Sequence, residues 1–153
     1  MKSVHKLVPI LVVLASAAWM PSSSFAELAP WDQARVTTLA AELAKASDAL
    51  YDTFLKEPQQ TLGSGQQKDY YRLRQLVRVI KLESRQLSSA LAKGEGYDPT
   101  LPIYEDLMTM VRDAREVSKR TFTSSFVLEK ANAAGDILRQ IAPYYDPNAL
   151  KGS

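Results

Sequence analysis

The chain contains no cysteine, and its one histidine, His5, stands among the first few residues. Beyond that point nothing is present from which to build the usual zinc site, a cysteine-anchored haem or the di-iron site of helical bundles, which needs Glu-x-x-His. No disulfide can form, and the side chain most often used for proton transfer near neutral pH is missing. Glycine is sparse, six in all. None of it falls in a phosphate-binding loop, a calcium loop or a Gly-x-Ser-x-Gly nucleophile elbow. Carboxylates are what remain for chemistry. Glu105 with Asp106 and Asp113 with Glu116 are the closest pairs, and Arg112, Arg115, Lys119 and Arg120 surround the second, which is the composition of a solvated face with surface ion pairs. With no nucleophile and base to point to, the sequence reads as a non-enzyme that holds no cofactor and no metal.

A long apolar run is lacking too. The most apolar stretch, Leu7 to Met20, follows Lys2, His5 and Lys6 and ends at Pro21, three serines and a small-residue terminus at Ser24 and Ala26. A bilayer needs about 20 apolar residues in a helix, and Pro9 interrupts this run early. Residues 1–26 therefore read as a secretory signal cleaved after Ala26. No cysteine follows the cut to carry a lipid, and no twin-arginine pair precedes the run. The expectation is export by the general secretory route to the periplasm or beyond, with no membrane span left after cleavage.

Excess charge of one sign is also absent. Lys2 and Lys6 leave with the leader, and the remaining 17 of the 19 basic residues balance 17 acidic ones, all of which lie beyond Ala26. A general nucleic-acid binder would carry a basic excess over the whole domain. No nucleic-acid partner is expected. Residues 27–153 fall in the size range of one domain whose core alone must stabilise it.

What the sequence does have is helical periodicity. Pro30 and Trp31 open a first helix over about 30–56, with Val36, Leu39, Leu43, Ala46, Leu50 and Phe54 on one face and Glu57 and Pro58 at its end. Residues 59–67, with Gly63, Ser64 and Gly65, have the composition of a flexible connection. A second helix over about 69–93 carries the cleanest stripe, Leu73, Leu76, Val77, Ile80, Ser84, Leu87 and Leu91, and Gly94, Gly96 and Pro99 stop it. A third, about 102–121, has Ile103, Leu107, Met110, Val111, Ala114 and Val117 inside. The stripe then changes phase across Thr121 to Ser125, where hydroxyl side chains serve as N-caps. A fourth helix, about 125–142, carries Val127, Ala131, Ala134, Leu138 and Ile141, and Pro143 closes it. Four amphipathic helices with three connections predict an all-α, up-down-up-down antiparallel four-helix bundle; the alternative is a three-helix bundle with one long bent helix.

Two features point to binding. Trp31, Tyr97, Tyr104, Tyr144 and Tyr145 all fall at one end of such a bundle, where they either form a contact surface or plug the core. On the second helix Arg74, Arg78, Lys81 and Arg85 recur by four, three and four, a narrow cationic strip that either docks a partner or pairs with acids of a neighbouring helix. The functional expectation is an exported interaction module that binds an envelope or secreted protein, or an anionic surface. The alternative is a small-ligand carrier or sensor with a pocket in the bundle core, since Ala46, Ser84, Ala114, Ala131 and Ala134 either pack tightly or leave room.

The exported protein is predicted to begin at Glu27. Intact mass spectrometry of the secreted form checks this, and a mass that retains residues 1–26 would refute it.

Overall fold

A computed structural model describes residues 27–57, 64–121 and 123–146; the leader lies outside the described residues. Four helices run in order: α1, Gln33–Lys56; α2, Ser64–Ala92; α3, Tyr97–Ser118; and α4, Ser125–Tyr145. α1 packs on α2 and on α4, and α2 packs on α3, whereas α3 and α4 barely touch. The architecture is the expected all-α four-helix arrangement, and the separate α3 and α4 exclude the long bent helix. Among the described residues no helix is long and apolar enough to cross a membrane.

The local chemistry explains where the helices begin and end, and where the sequence expectation needs correcting. α1 starts at Gln33 rather than Pro30, because the Asp32 carboxylate accepts the Arg35 backbone N–H at 2.9 Å and caps the first turn. α2 starts at Ser64, so the connection expected over 59–67 is already helical from there. α2 ends in a Schellman turn: the Glu95 N–H reaches the Ala90 carbonyl, the Gly94 N–H reaches that of Leu91, and Gly94 adopts φ 87°, which a side chain would strain. α3 begins at Tyr97, five residues before Pro102. Pro99 stands in the first turn, where its missing N–H has no helical partner to lose. The Thr100 hydroxyl donates to the Gly96 carbonyl at 2.7 Å and ties that turn to its cap. The break expected across Thr121 to Ser125 is present, and Ser124 caps α4 by accepting the Val127 N–H. Pro143 does not close α4, which continues to Tyr145. The Ala29 N–H donates to the Pro143 carbonyl at 2.7 Å, and the buried Tyr145 ring anchors the last turn.

The α1–α2 pair carries most of the register. Ser47 and Ser84, both fully buried, share a hydrogen bond of 3.1 Å, and Ser84 also donates to the Ile80 carbonyl. Phe54 stacks on Tyr70 with centroids 5.0 Å apart at one end, and the Gln33 amide donates to the Leu91 and Glu95 carbonyls at the other. The core forms two buried clusters. One reaches from Val36, Leu39 and Leu43 to Tyr104, Leu107, Ile141 and Tyr145; the other gathers Leu50, Phe54, Tyr70, Leu73, Val77, Val117 and Val127. Ala114 packs against both. Ala46 is half-buried, and its neighbour Ser47 takes the inward position. Ala131, expected in the core, is exposed. It lies on the side of α4 that borders the gap toward α3.

Tyr104 and Tyr145 stack at 4.4 Å, yet their hydroxyls differ. Tyr145 shares a 2.7 Å hydrogen bond with Thr100, while the Tyr104 hydroxyl is buried with no partner among the described residues. Burial, and then the nearby Asp146 carboxylate, push the Tyr104 phenol well above its ordinary range. Tyr145→Phe is predicted to cost about 1 kcal/mol and Tyr104→Phe to leave stability unchanged or slightly raised. A phenol whose folded pKa is raised favours the fold fully below the unfolded value, about 10, and loses that contribution above it. Denaturation followed from pH 7 to 11 is therefore expected to show a fall in stability beyond about pH 10 that Tyr104→Phe makes shallower.

Candidate functional site

The aromatic residues expected at one end do converge there. Trp31 meets Tyr97, Tyr144 and Tyr145 edge-on at 5.8, 6.5 and 5.4 Å, and Tyr145 lies stacked between Tyr97 and Tyr104. Tyr104 and Tyr145 are buried, the other three half-buried. Their faces are spent on one another, and Gln33 accepts the Trp31 indole N–H at 2.9 Å. This group closes the end of the core and pins α4 to α3.

The cationic strip of α2 divides in two. Arg85 donates to the Asp48 carboxylate at 2.8 Å, and Lys81 lies 3.7 Å from the same carboxylate, 4.0 Å from Asp52 and over the Tyr51 ring at 4.7 Å. The pairing with Asp48 holds the Arg85 guanidinium above its ordinary value. These two cations are matched by α1. Arg74 and Arg78 have no ion-pair partner among the described residues; with Gln75, Tyr71 and Tyr51 they line a surface notch of about 210 Å³. Tyr71 is exposed on α2 and Tyr51 half-buried on α1. Neither tyrosine stands out in the sequence, because their meeting depends on the α1–α2 register.

A second concavity lies where α3 and α4 fail to meet. It has a volume of about 250 Å³ and opens between Val111, Ala114, Arg115 and Ser118 on α3 and Leu128, Ala131, Asn132, Gly135 and Arg139 on α4. Core residues of α1 and α2, among them Leu43, Leu50, Val77 and Ile80, form its floor. Arg139 pairs with Asp136 one turn away, whereas the Arg115 guanidinium has no ion-pair partner among the described residues.

No family model, curated protein or solved structure matches the chain. Of the carboxylates, Glu116 pairs with Lys119 at 2.7 Å, which holds its carboxyl below the ordinary range, and Glu105 and Asp106 are exposed. Among the described residues no group of three or more acids could hold a metal ion.

Gly135 sits inside α4 with its bare Cα toward the cleft. A Cβ there would meet Arg139 Nη1 at 3.7 Å, ordinary contact, and nothing else among the described residues. Because glycine costs a helix interior about 0.5–1 kcal/mol relative to alanine, Gly135→Ala is predicted to raise stability by that amount in denaturant unfolding. A loss would mean that α3 approaches α4 more closely in solution.

Proposed function

We propose that the protein is an exported, non-enzymatic interaction module that docks an envelope or secreted partner presenting acidic side chains. The observation that carries this reading is the split of the α2 strip: Lys81 and Arg85 have acids opposite them on α1, and Arg74 and Arg78 have none among the described residues. Arginines without an ion pair among the described residues, beside the exposed Tyr71 and the half-buried Tyr51, supply what interfaces favour, namely bidentate donors for carboxylates and large, stiff contact area with a polar tip. The charge balance of the rest of the chain makes this patch a local feature rather than part of a general cationic surface.

The two halves of the strip give a built-in control. Arg74→Gln with Arg78→Gln is expected to leave the thermal melt nearly unchanged and to weaken capture of the partner from the envelope fraction, most strongly at low salt. Lys81→Gln with Arg85→Gln is expected to do the reverse: it removes the pairs with Asp48, lowers the melting temperature slightly and leaves capture intact. Unchanged capture and salt dependence in the Arg74/Arg78 variant would remove the patch from consideration.

A further inference from the structure

The cleft between α3 and α4 is a different kind of surface from the α2 patch. Its floor belongs to the core, its depth is apolar, and both facing helix edges carry an arginine. We propose that it is a ligand site for a single-chain anionic amphiphile, such as a medium-chain fatty acid, whose tail enters between Ala114 and Ala131 and whose carboxylate is held by Arg115 and Arg139.

Three observations support this occupant. The first is size. Dry apolar cavities of about 150 Å³ already take up a benzene-sized guest, so about 250 Å³ of mostly apolar space accepts an alkyl chain. A helix, about 10–12 Å across with its side chains, does not fit inside. It would have to dock on the rim, where Arg115, Asn132 and Arg139 are polar and Leu128 is the one large exposed apolar group among the described lining residues.

The second observation is charge. Helical side chains lean toward the N-terminus of their own helix. α3 and α4 run antiparallel, with Tyr145 beside Tyr104 at one end, so Arg115 leans toward the level of Val111 and Arg139 leans back over Gly135. The two arginines thus line the same cleft from its facing edges. One lacks an anion among the described residues, and the other has only an exposed pair with Asp136. A carboxylate is the group that a planar, bidentate donor recognises best.

The third is the glycine. Gly135 lowers helix propensity where the structure leaves room for a side chain, and its bare backbone widens the cleft beneath Arg139.

Titration calorimetry of residues 27–153 with decanoate, decanol and decyltrimethylammonium, each below its micelle concentration, tests the proposal. Decanoate is expected to bind with one-to-one stoichiometry at least about ten-fold more tightly than decanol, the margin of a charge-assisted hydrogen bond, and the cationic amphiphile not to bind. Arg115→Gln with Arg139→Gln should bring decanoate down to the level of decanol. Gly135→Leu and, separately, Ala131→Leu should each abolish binding of both while the helical melt is retained; two plugs at different depths keep the test open if one fails to fold. Arg74→Gln with Arg78→Gln should bind decanoate as the wild type does, since the α2 patch plays no part. Equal binding of all three amphiphiles, or undiminished binding to a folded plugged variant, would overturn the proposal. Saturation by an acidic amphipathic peptide with no response to decanoate would also overturn it, and would assign the cleft to a helix.

Discussion

The close approach of α1 and α2 through Ser47 and Ser84 is the contact on which the rest of the molecule depends. Two small hydroxyl side chains at the centre of the interface let the helices come together and satisfy each other's polar groups, so that burial leaves no donor stranded. With the centre fixed, Phe54 finds Tyr70 at one end and Gln33 finds the turn after α2 at the other. The pairing also sets Asp48 opposite Lys81 and Arg85, and it leaves Tyr51 beside the unpaired Arg74 and Arg78. The docking surface proposed on α2 is a by-product of this register: the same strip is neutralised where α1 offers acids and left cationic where it offers a tyrosine.

α3 and α4 lean on this pair from opposite sides. α3 is held by Arg120 against Asp69 at 3.5 Å and by its apolar face on α2; α4 is held by Glu57, which accepts the Ser124 N–H, and by Arg35 donating to Gln140. Tyr145 is the main bond between α3 and α4, through its stack on Tyr104 and Tyr97 and its hydrogen bond with Thr100. The seam is therefore closed at the aromatic end and tied by the chain itself at the other. Between these points the middle of the bundle is lined by Ser47, Ala114, Ala134 and Gly135, side chains too small to fill the space that the flanking leucines and aromatics hold open.

Much of this architecture is legible in the sequence, because a stripe such as Leu73, Val77, Ile80, Ser84, Leu87, Leu91 reports which side of a helix turns inward. Helix ends are less legible. Pro102 and Pro143 read as boundaries, but Thr100 and Tyr145 hold turns on their far sides, and those contacts are made by residues distant in the chain. The aromatic group and the cationic strip are visible as lists of residues; which members are spent on packing or pairing is not, since that depends on the partner helix. The cleft leaves the weakest trace of all. Periodicity says that Ala114, Ala131 and Leu138 face inward and is silent on whether the inward faces meet.

Why the seam stays open follows from charge as much as from volume. Bringing α4 against α3 along its length would carry Arg115 and Arg139 from opposite edges into the same low-dielectric space. Each guanidinium would lose water at a cost of several kcal/mol, and the two would repel. A little apolar contact between Ala114, Ala131 and Gly135 offers too small a transfer gain to offset that, at about 25 cal/mol for each Å² buried. The same residues in other types, leucine for glycine and glutamate for one arginine, would favour a closed bundle with an ion pair across the seam. With arginine on both edges and small residues beneath them, closing the seam would gain little, while Ala131 and Leu128 stay exposed at its mouth. The guest proposed for the cleft, an apolar body with a negative head, would fill the gap and offset the charge on its two edges.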